Sequence, residues 1–383
     1  MAATAPAAPG ITVRSDERGG NALRRLHALG QSVWLDTISR GLITSGELQR
    51  LVDAGLLGVT SNPTIFEKAI SGSADYDDQL RDLARQGRSA EAIFEALAIR
   101  DIRAAADVFR PVYDRLDGAD GFVSLEVSPH LAHDTAATIA AAERLFAALD
   151  RPNVFIKIPA TEAGLPAIAA AIGDGINVNV TLLFDVDRYE AVANAYMEGL
   201  ETLARRGRPL ARVASVASFF VSRVDTAVDA LLQGKPEHAG LLGAAAVANA
   251  KVAYQRFERI FASPRFEALR RHGARVQRVL WASTSTKNPS YKDTKYVDPL
   301  IGPHTVNTVP PPTLEAILDH ADVRATLREG LEQAHADLAA LFRAGVDMKA
   351  VTARLEAEGV AAFAKSYDDL LASIEQKLAV VAR

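Results

Sequence analysis

The sequence predicts an α/β fold, a (β/α)8 TIM-type barrel, and two observations support this class. Eight short apolar segments with strand character alternate with helical patterns, which is typical of parallel strands joined by crossover helices. Eight such units are also the number that closes a barrel of this kind. The predicted strands are residues 32–38, 58–63, 121–127, 153–160, 176–184, 213–220, 278–284 and 304–310.

Extra helices are predicted at two places in the barrel. The stretch from residue 64 to residue 119 is helical and enlarges the connection after the second strand, and "PPPTLEAILDH" opens a helical region after the eighth strand. No internal repeat and no linker indicates a second domain. We therefore expect a flexible Ala/Pro-rich N-terminal tail over residues 1–20, and a single catalytic barrel domain over residues 21–383 that includes the C-terminal helices.

Composition excludes several classes of function. Apolar residues make up 49% of the 383, enough for a large core, and a net charge of −4 gives no reason to expect nucleic-acid binding. The sequence has no cysteine, which excludes disulfides, cysteine zinc sites and cysteine nucleophiles. No apolar run reaches the ~20 residues that span a bilayer, and the first residues lack the pattern of a signal peptide. We expect a cytoplasmic protein without nucleic-acid or membrane partners.

A lysine stands at the centre of the fourth predicted strand, "NVFIKIPA", among apolar neighbours. Lys157 lies between Ile156 and Ile158, and a lysine is almost never fully buried unless it is paired or has a chemical task. Its amine is therefore either a strand-end group that reaches water or a nucleophile kept in an apolar pocket.

Strand parity places polar groups from four strands on one side. Successive strand residues point to opposite sides, and in a barrel one of these sides faces the lumen. One parity of these strands is apolar, whereas the other carries polar or ionisable groups near the C-terminal strand ends. This second set comprises Trp34 and Asp36, Ser124 and Glu126, Phe155 and Lys157, and Asn177, Asn179 and Thr181.

Two interpretations of this set are open on parity alone. Polar groups buried without partners cost on the order of 1–3 kcal/mol each, and a lysine, an aspartate and a glutamate could offset that cost as a buried ion-pair network. The alternative is a catalytic constellation, which is favoured because barrel active sites lie at the C-terminal ends of the strands.

The chemistry of the set is that of a Schiff-base enzyme. Burial lowers the pKa of a lysine, and a neutral amine at Lys157 attacks a carbonyl carbon to form an iminium that promotes carbon–carbon cleavage. Asp36 is the candidate that moves the proton of the hydroxyl beside the cleaved bond. Glu126 and Thr181 suit the pair that holds one water during formation and dehydration of the carbinolamine.

Six segments of the sequence resemble, in order and approximate spacing, the signature segments of the transaldolase family. They are "WLDTISRG", "GVTSNPTIFEKAI", "SLEVSP", "FIKIPAT", "NVNVTLLF" and "SFFVSRVD". The resemblance implies a barrel enzyme of the non-oxidative pentose phosphate pathway that needs no metal and no organic cofactor. Its members transfer a dihydroxyacetone unit from sedoheptulose 7-phosphate or fructose 6-phosphate to glyceraldehyde 3-phosphate or erythrose 4-phosphate.

The resemblance also assigns residues. It implies that Lys157 forms the Schiff base, that Asp36 acts on the C4 hydroxyl, and that Glu126 and Thr181 hold the catalytic water. The residues implied to line or bind substrate are Thr60, Asn62, Asn179, Ser218 and Arg223. Arginine suits a phosphate because its planar fork binds oxyanions through two hydrogen bonds.

One segment departs from the family pattern. After the seventh strand many transaldolases carry a Ser-Phe-Arg segment whose arginine binds phosphate, whereas this chain has "WASTSTKNPSY". Ser283, Ser285 and Lys287 are the candidates to replace it. The chain length and this segment resemble the longer bacterial branch of the family. The alternative for Arg223 is an ion pair with Asp225 or with another carboxylate at the barrel mouth.

Two other functions compete with transaldolase. A fructose-6-phosphate aldolase on the same scaffold releases free dihydroxyacetone; there a tyrosine tends to stand where this chain has Phe220, which favours transfer. A non-catalytic barrel that binds sugar phosphates would not need the set of Lys157, Asp36 and Glu126, and all three are present. For the assembly we expect a monomer or a homodimer.

Overall fold

The strands form one closed parallel barrel, as the sequence predicts. The computed structural model describes residue 11 and residues 20–381, so the predicted tail lies almost wholly outside the described residues. The strands follow each other around the barrel in chain order, and β8 pairs with β1 to close it. Their bounds are β1 Gln31–Leu35, β2 Gly58–Val59, β3 Phe122–Glu126, β4 Val154–Pro159, β5 Val178–Leu183, β6 Ser215–Phe220, β7 Arg278–Ala282 and β8 Thr305–Val309.

Helices surround this barrel and account for the two predicted extensions. Three of them lie between β2 and β3, and three follow β8. The bounds are α1 Ala22–Ala28, α2 Arg40–Thr44, α3 Glu47–Ala54, α4 Pro63–Ser71, α5 Asp77–Arg85, α6 Ala90–Arg115, α7 Thr135–Leu149, α8 Gly164–Gly173, α9 Val186–Arg205, α10 Ser222–Leu232, α11 Ala245–Phe261, α12 Pro264–Arg271, α13 Pro311–His320, α14 Leu331–Arg343 and α15 Met348–Val381.

The second strand is shorter than predicted. It ends at Val59, and the predicted residues 60–63 lead into α4 instead. Asn62 causes the early exit, because its side chain accepts a hydrogen bond from the backbone N–H of Ile65 and so caps α4. Gly58 is required by close packing, since a Cβ there would lie 2.7 Å from the ring of Trp34.

Aromatic side chains fill the lumen below the polar residues. Phe122 and Phe155 stack with their ring centroids 4.3 Å apart, and Trp34 lies 5.9 Å from Phe155. Trp34 is fully buried and its indole nitrogen donates to Asp120. It therefore belongs to the core of the barrel, although it shares the strand parity of Asp36. These rings separate the polar residues at the carboxyl ends of the strands from the amino end of the barrel.

The last helix, α15, crosses the carboxyl end of the barrel. Its Ser366 accepts a 2.8 Å hydrogen bond from Thr64 at the start of α4. Its Gly359 packs on Leu182 of β5, where a Cβ would lie only 2.9 Å from a Leu182 methyl carbon. Tyr367 is packed inward and is 6% exposed. Among the described helices, we find none with both the length and the apolar character that crossing a membrane requires.

Candidate active site

A cavity of about 320 Å³ opens at the carboxyl ends of the strands. Its walls come from seven strand ends, from the loop after β7, from α4 and α10, and from α15. The lining residues are Asp36, Thr60, Asn62, Thr64, Ile65, Lys68, Lys157, Thr181, Ser218, Phe220, Arg223, Ala282, Ser283, Ser285, Lys287, Thr308, Pro310 and Phe363.

Lys157 lies at the floor of this cavity with its amine held by two partners. The Nζ atom donates to the backbone oxygen of Ser61 at 3.0 Å and to Oε2 of Glu126 at 3.1 Å. The register of β3 with β4 sets Glu126 directly beside Lys157. Both side chains are nearly buried, with 7% and 4% exposed. One pair of the buried ion-pair network that parity left open, Lys157 with Glu126, is therefore formed, and its lysine lines the cavity.

Glu126 and Thr181 each keep a buried oxygen free for a further partner. Within the described part of the chain, Oε1 of Glu126 and Oγ1 of Thr181 have no hydrogen-bond partner. Burial raises the pKa of the Glu126 carboxyl, and the Lys157 charge only partly opposes this. A carboxyl with a raised pKa exchanges a proton near neutral pH more readily than an exposed one.

Asp36 is held by a chain of two threonines. Thr60 donates to Oδ1 of Asp36 at 2.7 Å, and the hydroxyls of Thr60 and Thr308 lie 2.6 Å apart. Asp36 directly follows β1, and its backbone N–H donates to Val309 of β8 at 2.8 Å. Burial raises the pKa of Asp36, while the Thr60 hydrogen bond and the charges of nearby lysines lower it. The geometry thus fixes the position of the Asp36 carboxyl, and Asp36 itself lines the cavity.

The opposite wall of the cavity is cationic. Arg223 lies in the first turn of α10, and its guanidinium carbon is 5.4 Å from the centre of the Phe220 ring. Lys287 donates to Oγ of Ser285 at 2.7 Å. Burial lowers the pKa of Arg223, and burial together with the Arg223 charge lowers that of Lys287. Two desolvated cations and a helix N-terminus favour an anionic group.

Arg223 does not pair with Asp225. That carboxylate accepts hydrogen bonds from the Ala246 N–H at 2.7 Å and from the Tyr296 hydroxyl at 2.9 Å, and Lys295 lies 3.9 Å away. Among the described residues, no carboxylate oxygen forms an ion pair with Arg223, so its charge is available to a ligand.

Ser283 begins the loop after β7 in an unusual backbone conformation. Its φ is +54°, in the left-handed region that residues other than glycine rarely adopt. Its hydroxyl lies 3.0 Å from that of Ser222 at the start of α10. Strained backbone of this kind concentrates at functional sites, and here it brings the loop after β7 to the cationic wall.

The two asparagines and Ser218 occupy different depths. Asn62 lines the cavity, and its Oδ1 is used to cap α4, so its amide NH2 is the group available to a ligand. Asn179 is fully buried; its Nδ2 donates to Ser124 at 3.1 Å, and its Oδ1 accepts from Ser218 at 2.6 Å. Ser218 lines the cavity, so Asn179 affects the cavity only by holding the Ser218 hydroxyl.

Ten of the eighteen residues that line this cavity are candidates from the sequence, and Thr308 and Phe363 are two of the eight that are not. Ten of the twelve candidates line the cavity, and the other two, Glu126 and Asn179, each bond to a residue that does. Thr308 carries a signal of the same kind, since it is a polar residue near the carboxyl end of β8, opposite Trp34 of β1. Phe363 had no local signal, because it comes from a helix far along the chain from Lys157. The described residues contain no cluster of three or more His, Asp or Glu side chains suited to a metal.

A family profile and the most similar sequences point to one family. The profile of the Transaldolase/Fructose-6-phosphate aldolase family matches residues 33–374. A transaldolase of Saccharopolyspora erythraea is 51% identical over 358 residues, 93% of this chain and 97% of that protein. Transaldolase 1 of Streptomyces coelicolor is 51% identical over 372 residues, 96% of this chain and 98% of that protein. A transaldolase of Acidothermus cellulolyticus is 53% identical over 359 residues, 93% and 96% of the respective chains.

Proposed function

This chain belongs to the transaldolase/fructose-6-phosphate aldolase family, and we propose that Lys157 is the Schiff-base lysine with which it works. The activity is that of a transaldolase, a transferase of the pentose phosphate pathway. It transfers a dihydroxyacetone unit from sedoheptulose 7-phosphate or fructose 6-phosphate to glyceraldehyde 3-phosphate or erythrose 4-phosphate. The observation that carries the assignment of Lys157 is the contact of its buried amine with Glu126 at 3.1 Å inside the cavity.

In the first half-reaction the neutral amine of Lys157 adds to the C2 carbonyl of the ketose phosphate. Glu126, with the water that it shares with Thr181, protonates the C2 hydroxyl, which leaves as water while the nitrogen lone pair forms the iminium. The free buried oxygens of Glu126 and Thr181 support this role. Water leaves and later returns through the same pair of residues.

In the next step Asp36 takes the proton of the C4 hydroxyl. The C3–C4 bond then breaks, its electrons move to C3, and the iminium becomes an enamine on Lys157. The remaining aldose phosphate leaves. An acceptor aldehyde enters, C3 attacks its carbonyl carbon, and Asp36 returns the proton to the new alkoxide. The raised pKa of the buried Asp36 carboxyl supports an acid–base role.

We further propose that the cationic wall binds the phosphate of each substrate. Arg223 is the main group and Lys287 the second, with Ser283 and Ser285 as hydroxyl donors. Thr60, Asn62 and Ser218 would contact sugar hydroxyls, and Asn179 would hold Ser218. The release of free dihydroxyacetone, the aldolase alternative, is disfavoured by Phe220, an apolar residue of the cavity wall where that activity tends to have a tyrosine.

Three wider properties are also proposals. We propose that residues 21–383 work as one catalytic domain, which is supported by the packing of α15 across the barrel mouth. The enzyme is proposed to act in the cytoplasm, where its sugar-phosphate substrates are metabolised. It is proposed to act as a monomer or a homodimer, and sedimentation of the full chain distinguishes the two.

The assignment of Lys157 is tested by a transfer assay. With fructose 6-phosphate and erythrose 4-phosphate, Lys157→Ala is expected to lose transfer while its circular dichroism stays unchanged. Lys349→Ala, at a side chain that is 80% exposed, is the matched control and is expected to retain activity. Transfer at the normal rate by a folded Lys157→Ala protein would contradict the assignment.

A further inference from the structure

Phe363 covers the reacting amine from the C-terminal helix. Its ring centre lies 5.7 Å from the Nζ atom of Lys157, and the side chain is only 7% exposed while it lines the cavity. The amine thus has polar partners on one side and an apolar ring on the other. Glu126 and the Ser61 carbonyl bind it on the barrel side, and an aromatic ring approaches it from α15.

Contacts on both sides of Phe363 hold α15 in place. Gly359, one turn earlier, lies on Leu182, and Ser366, one turn later, accepts from Thr64 at 2.8 Å. Further along, His130 forms a 2.7 Å contact with Asp368. These anchors attach the helix to β5, to α4 and to the segment after β3. The ring is therefore placed by the fold, since α15 is fixed to three separate parts of the barrel mouth.

We propose that Phe363 is a positioning residue that keeps water from the Lys157-bound intermediate, so that the dihydroxyacetone unit is transferred to an acceptor instead of released. This inference rests on the proposed role of Lys157. The enamine left after cleavage has two fates. In transfer, C3 attacks the acceptor aldehyde, and the new alkoxide takes the proton held by Asp36.

In release, that proton is added to C3 instead, and the enamine becomes an iminium. One water then adds to C2, and Lys157 departs as a free amine together with dihydroxyacetone. Release therefore needs one water at C2, and transfer needs none until the new sugar is complete. An apolar ring beside the nitrogen lowers the access of water during the interval in which the enamine waits for an acceptor.

The ring also has an electrostatic effect on the iminium. A cation within about 6 Å of an aromatic ring centre is attracted by the negative face of the ring. Lys157 keeps a positive charge at nitrogen in the iminium, so loss of the ring is expected to lower the trapped Schiff-base fraction roughly 2- to 30-fold. Leucine would keep much of the apolar cover but not this attraction, which separates the two effects.

The test measures free dihydroxyacetone per transfer event in the full-length enzyme. Fructose 6-phosphate and erythrose 4-phosphate are supplied, and dihydroxyacetone and sedoheptulose 7-phosphate are both quantified. Phe363→Ala is expected to raise the ratio of free dihydroxyacetone to transfer product several-fold. Phe363→Leu is expected to keep this ratio close to that of the unsubstituted enzyme, while the fraction of Lys157 trapped by borohydride stays low. Phe342→Ala on α14, where the side chain is 76% exposed, is the matched control with an unchanged ratio.

Two outcomes would overturn the inference. One is an unchanged ratio in a folded Phe363→Ala protein that still forms the trapped adduct. The other is a ratio in Phe363→Leu as high as in Phe363→Ala, because the apolar cover would then not be what matters. Absence of any trapped adduct in the unsubstituted enzyme would instead contradict the proposed function, so the two failures are distinguishable.

Discussion

Asp36 and Glu126 are buried carboxyls near the same lysine, Lys157, but they have different hydrogen-bond partners. Glu126 bonds the amine and keeps one oxygen free, whereas Asp36 receives a hydroxyl donor from Thr60. Burial raises the pKa of both. A donor to a carboxylate stabilises the charged form, and its removal favours the protonated acid. The pKa of Asp36 therefore depends on Thr60 in a direction that can be measured.

Thr60→Val is expected to move the acidic limb of the kcat profile to higher pH. The sign follows because, in the proposed mechanism, Asp36 has to be deprotonated to take the C4 proton, and loss of the Thr60 donor raises the pKa of Asp36 further. The measurement is kcat for transfer against pH. Thr64→Val is the control, since Thr64 bonds Ser366 and not Asp36. The acidic limb of its kcat profile is expected to stay at the same pH. A limb that does not move in Thr60→Val would argue against Asp36 as the base.

Arg223→Ala is expected to raise KM for fructose 6-phosphate more than it lowers kcat. The proposed phosphate contact would be made equally in ground and transition states, and loss of such uniform binding appears mainly in KM. The variant should also lose most of the preference for fructose 6-phosphate over unphosphorylated fructose. Lys287→Ala should lose less of it. If Lys287→Ala lost the preference and Arg223→Ala retained it, the phosphate site would lie in the loop after β7.

At the scale of elements, strands were predictable and their surroundings less so. Strand parity depends only on local sequence, so it placed Glu126, Lys157 and Thr181 on the lumen side. The end of β2 depends on a cap, because Asn62 starts α4 inside the segment that was predicted as strand. The position of α15 depends on tertiary contacts such as Thr64 with Ser366. For that reason Phe363 could not be found from the sequence.

Gly58→Ala tests why β2 is so short and tightly packed. The new Cβ would lie 2.7 Å from the Trp34 ring and 2.8 Å from the Phe122 backbone oxygen, so neighbouring atoms would have to shift. Overpacking of this kind typically costs about 1–3 kcal/mol, to be measured as the free energy of unfolding in urea. Gly240→Ala is the control, because a Cβ there meets no atom within 4 Å. Equal stability of the two variants would contradict the packing argument.

At the scale of the whole molecule, the two ends of the barrel differ in structure. At the amino end, Asp120 accepts from Trp34 and pairs with Arg278 at 2.9 Å across the lumen, and both side chains are largely buried. Aromatic rings fill the middle, and the cavity with Lys157 opens at the carboxyl end under α15. The position of the cavity at the carboxyl end was predictable from the barrel class, since active sites of such barrels lie at the carboxyl ends of the strands.

The central claim is that Lys157 carries the dihydroxyacetone unit between substrates. The most direct test is borohydride reduction of the enzyme with fructose 6-phosphate, followed by peptide mass mapping. Three lysines, Lys68, Lys157 and Lys287, line the described cavity, so the label discriminates among neighbours. We expect a reduced dihydroxyacetone adduct on the peptide that contains Lys157, and we expect no such adduct in Lys157→Ala. An adduct on Lys68 or Lys287 instead would contradict the claim.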